Sequence, residues 1–189
     1  MSASSAPEPS APAPATPPAA AGDSVPEDDQ GDSDGPVVII RKYTDSEIAA
    51  VLLAANGAEI EESRLAAARA ENPAVRDYAE RMLSDHTTAN VDATMLFARN
   101  DVMPDPNDTS EEIATQSDEA MRQMATQAGA DFDRAYMTRQ NDAHLKLLNL
   151  LDMSLIMSAV DVDLREMLEM MRPAVADHLQ AAHDLLSQL

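Results

Sequence analysis

In one stretch of this chain Ile48, Leu52, Ala55, Glu59, Glu62 and Ala66 succeed one another at intervals of four, three, four, three and four residues. That is the seam of a helix packed along a neighbour. Val75, Ala79, Met82 and Leu96 share a second helical face, Met137, Leu148, Leu151 and Leu155 a third, and Leu164, Met167, Met171, Ala182 and Leu185 a fourth. The residues between these faces predict where each helix begins and ends. Thr44 with Glu47 three residues later is a capping box and predicts a helix over 45–71. Asn72 as cap and Pro73 at the first position start a second over 73–99. After the loop "NDVMPDPNDTS", Ser110 or Thr109 restarts a helix to about residue 127. Gly129 breaks it, Asp131 caps a continuation to about 157, and Asp161 caps the last helix to about 187. Four long helical units with short connections predict an all-α, antiparallel four-helix bundle over residues 37–189, its third unit broken near Gly129.

Composition adds to this picture at the N-terminus and on the surface. Residues 1–36 combine Pro, Ala and Ser with the acidic stretch "PEDDQGDSDG" and read as a disordered tail. Its aspartates miss calcium-loop spacing, and "VVII" at 37–40 reads as a short extended piece beside the bundle. Aromatic residues make up 3% of the chain and Trp is absent, so Ala, Leu, Met and Val must fill the core. A net charge of −21 disfavours nucleic acid and anionic membranes as partners. No run of residues approaches the roughly 20 apolar positions of a membrane span. Asp outnumbers Glu 21 to 13 and Arg outnumbers Lys 11 to 2, a bias open to two readings: a high-salt habitat or GC-rich coding. There is no cysteine, which excludes disulfides, thiolate ligands and a cysteine nucleophile. The opening "MSASSAPEPSAPAPATPPAAAG" has no export signal but is similar to the tether that follows the processed end of an exported or lipid-anchored protein.

Each dry face carries a polar group. Glu59 and Glu62 lie in the first seam, and His86, His144 and His178 lie on the other three. A titratable ring in an apolar seam needs an acceptor, a carboxylate or a metal ion. Glu59 lies 13 residues before the turn near 72 and His86 14 after it, each about 20 Å away at the helical rise. His144 and His178 lie about 22 and 28 Å from the turn near 159 by the same rise. The four are therefore expected to meet in the interior, while His183, about 140° around its helix from His178, points elsewhere. Three histidines and a carboxylate suit one divalent ion, zinc or another transition metal, with Glu62 as a further ligand or outer-shell acceptor. A di-iron site is a poorer match, because its paired Glu-x-x-His is replaced by Leu83-x-x-His86, Asn141-x-x-His144 and Val175-x-x-His178. The same residues admit a second reading, a closed polar network that fixes helix register without metal. In a third, Asp85, Asp142 and Asp177 pair with histidines that face solvent. The dispersed methionines read as packing filler, and "NDT" at 107–109 fits a glycosylation acceptor by pattern alone. No Ser-His-Asp order, Gly-rich phosphate loop or HExxH is present.

The stretches "GAEIEESRLAAARAENPAVRDYAERMLSDHTTAN", "FDRAYMTRQNDAHLKLL" and "RPAVADHLQAAHDLL" together resemble the bacterial domain-of-unknown-function family 4142. The resemblance covers about residues 45–188 and implies a ferritin-like fold exported to the periplasm or cell envelope. It places the family's acid on Glu59, its Asp-His on Asp85 and His86, and its later histidines on His144 and His178. "DAH" departs from the pattern, since the family often has Asp directly before His, which leaves Asp142 unmatched. The resemblance implies no established reaction. The expectation is thus an exported or membrane-tethered bundle whose buried Glu/His cluster is structural or holds one metal ion. Its alternatives are a metal-dependent enzyme acting on a small molecule, with Glu59 as ligand or base, and a module that docks an envelope protein. A lipid anchor upstream of the tail is part of the same expectation.

Overall fold

The computed structural model describes residues 43–189, and the tail expected at 1–36 and the extended piece at 37–40 lie outside them. The described residues are all-α. They form α1 (Asp45–Arg69), α2 (Pro73–Arg99), α3 (Asp108–Ala125), α4 (Gly129–Leu150), α5 (Ile156–Ser158) and α6 (Val162–Leu186), with a single π-helical turn, Leu151–Leu155, joining α4 to α5.

Local chemistry accounts for most of the boundaries. The Thr44 hydroxyl accepts from the Glu47 backbone N–H, and the Glu47 carboxylate accepts from that of Thr44. Asn72 accepts from the Ala74 N–H ahead of α2, and Asp161 from the Leu164 N–H ahead of α6. Two starts differ from expectation. The cap of α3 is Asn107, whose side chain takes the Thr109 and Ser110 N–H groups while Ser110 Oγ accepts from the Asn107 N–H. Ser110 is thus the reciprocal partner in the cap rather than the cap itself. Gly129 opens α4 instead of merely ending α3. Its φ of +59° reverses the chain after Ala128 and starts the helix two residues before Asp131, which sits in the first turn. The frayed end of α3 is held from α1, where the Arg69 guanidinium donates to the carbonyls of Ala125 and Gln127 and lies 4.8 Å from the Phe132 ring centroid.

α1 packs along α2, α4 along α6, α2 against α6, and α3 against α1. α2 and α6 run in opposite directions, as do α1 and α4, whereas α3 runs parallel to α1, Tyr43 meeting Thr109 and Arg69 meeting Ala125. Arg81 pairs with Asp177 and Arg99 with Asp163 between α2 and α6. Ser63 bonds Tyr136 while Glu59, one turn earlier, bonds Gln140, one turn later. Two aspartates tie helices to distant turns: Asp133 accepts from the Glu71 and Asn72 N–H groups, and Asp45 from those of Val160 and Asp161.

The interior has three levels. One apolar cluster gathers Ile48, Leu52, Leu96, Phe97, Leu155 and Leu168 among others, and a second gathers Ala66, Val75, Met82, Phe132 and Tyr136. Between them every long helix turns polar while staying buried: Asn56, Glu59, Glu62 and Ser63 on α1, His86 on α2, Gln140 and His144 on α4, and His178 on α6. On α6 the buried stripe around His178 is Leu164, Leu168, Val175 and Ala182. The expected Met167, Met171 and Leu185 are half-buried at its flank, because the stripe is centred roughly 40° further round the helix, less than one residue's turn.

Candidate metal centre

His86, His144 and His178 reach the middle level from three different helices. Their ring centroids lie 5.6, 5.5 and 5.4 Å apart, close to an equilateral triangle. One ring nitrogen from each lies within 4.8 Å of the others, near enough for all three to hold a single metal ion. All three residues are buried.

Each ring is oriented by an acceptor at one of its two nitrogens. His86 Nδ1–H donates to Asn56 Oδ1 at 3.0 Å, His144 Nδ1–H to the Gln140 carbonyl at 2.9 Å, and His178 Nε2–H to Asp85 Oδ2 at 3.1 Å. A carbonyl or carboxylate only accepts, so these contacts fix the tautomers. The remaining nitrogens, Nε2 of His86, Nε2 of His144 and Nδ1 of His178, are buried without a hydrogen-bond partner among the described residues. Each carries a lone pair. Burial, with the neighbouring histidines, pushes the His86 imidazole down to about 3. Burial likewise lowers His144, to about 4, and His178. The three rings are therefore neutral at pH 7, the form that ligates metals.

Of the five residues singled out in the sequence, the three histidines bring ring nitrogens together, while the two glutamates beside them are engaged by other partners. Glu59 lies 4.0 Å from His144 Nδ1, the nitrogen already turned to Gln140. Its Oε2 accepts from Gln140 Nε2 at 2.8 Å, and desolvation raises it to about 7. Glu62 is fully buried and clamped by Arg139, which donates from Nε at 3.0 Å and from Nη2 at 2.9 Å. Burial and the neighbouring Glu59 raise Glu62 despite that clamp. At the level of His86, α1 presents Asn56 rather than Glu59. His183 is exposed, as its phase predicts.

Of the orienting residues, sequence reasoning named Asp85 but missed Asn56 and Gln140, though signals for them were there. Asn56 stands four residues after Leu52 and three before Glu59, and Gln140 stands one turn before His144. Asp85 points away from its neighbour His86, as adjacency on a helix requires, and serves His178 of the next helix instead. A cavity of about 220 Å³ between α1, α3 and α4 reaches this level from outside and touches Glu59 and His144.

Fold and site together define an all-helical bundle with a buried three-histidine group. The model of one family, Domain of unknown function (DUF4142), matches residues 40–185, and the chain belongs to that family. No curated protein matches the chain, and no solved structure does.

Proposed function

We propose that this protein is an exported or envelope-tethered metal-binding bundle, an antiparallel four-helix arrangement of ferritin-like class formed by α1, α2, α4 and α6. Its centre holds one divalent transition-metal ion on His86, His144 and His178. The observation that carries this reading is the pattern of satisfied and unsatisfied nitrogens. A structural network would engage both nitrogens of each ring, whereas here one of each is oriented and the other left bare. Three imidazoles without thiolate suit zinc and the other metals that favour nitrogen. Bridging carboxylates for a di-iron centre are not at hand, since Glu62 is committed to Arg139 and Glu59 faces the wrong nitrogen of His144. Three protein ligands leave a fourth position for water or a small molecule. The cavity at Glu59 and His144 favours a second reading in which the ion serves a reaction on a small molecule.

Titration of chelator-treated protein with Co²⁺ tests the centre. The expected result is a visible absorption band of a low-coordinate nitrogen site that saturates at one ion per chain, is displaced by zinc, and is lost in His144→Ala. Absence of a saturating band, or a band that survives His144→Ala, would overturn the assignment.

A further inference from the structure

The cavity between α1, α3 and α4 has a geometry of its own, whether or not a metal sits beyond His144. Its walls are aliphatic, from Ala55, Ala58, Ile113, Leu147 and Leu150. Its mouth is a neutralised polar chain in which Lys146 donates to Gln116 Oε1 and Gln116 donates to Glu112, with Glu112 and Lys146 exposed. At its inner end lies the Glu59 carboxylate, in a residue only 5% exposed. Gln140 occupies one carboxylate oxygen, and among the described residues no hydrogen bond reaches the other, Oε1. Two cations line the cavity: Arg139, whose charge is matched by the two-pronged contact with Glu62, and Lys146, which is turned to Gln116 at the mouth. What remains unmatched is therefore an acceptor, at the end of an apolar chamber, in a chain whose net charge of −21 attracts cations and repels anions.

We infer that this cavity binds a small primary ammonium compound with a compact apolar body, its ammonium donating to Glu59 Oε1 and its body packed between α1, α3 and α4. The size agrees. An apolar cavity of about 150 Å³ accepts benzene, so one of about 220 Å³ takes a single ring with a one-carbon arm. Wall and floor follow the usual division of labour in small-molecule sites, where apolar area gives affinity and a single placed polar group gives orientation. An ammonium satisfies the Glu59 oxygen that Gln140 leaves free, as the Arg139 guanidinium satisfies Glu62. A carboxylate ligand would instead face Glu59 itself.

Three probes of one shape separate the chemistries: benzylamine, benzyl alcohol and benzoate, titrated into the full chain after chelator treatment, so that ligation of an amine to metal cannot produce the signal. Calorimetry and methyl chemical shifts should report saturable binding of one benzylamine per chain, with shifts at Ile113 and Leu147. Benzyl alcohol should bind roughly tenfold more weakly and benzoate more weakly still. Glu59→Gln should bring benzylamine down to the affinity of the alcohol. Ala55→Leu, which fills the chamber from α1 and leaves Glu59 in place, should abolish binding of both with unchanged circular dichroism. It keeps the proposal testable if Glu59→Gln fails to fold. Equal or tighter binding of the alcohol or benzoate, affinity unmoved by either substitution, or no saturable benzylamine binding would overturn it.

Discussion

The apolar cluster around Leu52, Phe97, Leu155 and Leu168 and the polar level beside it are built from successive turns of the same helices, are both buried, and obey opposite rules. In the cluster, identity matters little beyond shape, because dispersion and exclusion of water are shared over many contacts. In the polar level each atom depends on particular partners, and some have none. Three ring nitrogens and the Asn56 amide nitrogen go without, and each such orphan costs about 1–3 kcal/mol. Aliphatic side chains of similar volume would be more stable there. The difference teaches that the middle level is not accounted for by folding alone, and its arrangement makes sense when something binds to it.

This contrast can be broken most forcefully from the apolar side. Leu168→Ala should lower stability by about 2–5 kcal/mol in denaturant unfolding while leaving zinc affinity within about threefold, the spread expected of an uncoupled site. A large loss of affinity would mean that cluster and centre are one unit. Asp85→Ala probes the polar side. It frees His178 Nε2–H at a half-exposed position and should weaken zinc binding by about ten- to a hundredfold with little change in unfolding midpoint of the metal-free protein. Equal weakening of both would reduce Asp85 to a structural role.

Acid titration gives the most graded effect. In the fold His86 and His144 stay neutral down to about 3 and 4, while in the unfolded chain they take up protons near 6.5. The unfolded state therefore binds more protons between these limits, and the stability of the metal-free protein falls as pH falls through that window. Each ring adds a slope of up to about 1.4 kcal/mol per pH unit. Glu59 works the other way. It stays protonated in the fold up to about 7 against an ordinary value of 4.5, so its contribution is present at low pH and is lost as pH rises toward 7. Glu59→Gln removes this opposing effect, and unfolding followed from pH 4.5 to 6.5 should show a steeper dependence than in the parent. An unchanged or shallower slope would show that Glu59 is ionised in the fold.

Much of this could be read from the chain because helices announce themselves locally. Capping at Thr44, Asn72 and Asp161 and the seam from Ile48 to Ala66 are written in residues three and four apart. The convergence of His86, His144 and His178 was legible from their positions on the apolar faces together with the rise per residue, to within about one turn. What was not legible depends on helix rotation and on which neighbour lies across the gap. A rotation of α6 by roughly 40° replaces Met167 and Met171 by Leu168 and Val175 in the buried stripe. A displacement of one turn on α1 puts Asn56 opposite His86 and leaves Glu59 to Gln140. Asp133 could not be found in this way either, because its two acceptor bonds go to a turn 61 and 62 residues away.

The central claim is that the three bare nitrogens exist to hold a metal ion, and the metal content of tag-free protein tests it most directly. Elemental analysis should find one transition-metal ion per chain in the parent and none in His86→Ala or His144→Ala, both still helical. Metal-free parent protein that takes up no zinc, and whose unfolding is the same with and without chelator, would contradict it and return the three histidines to a purely structural role.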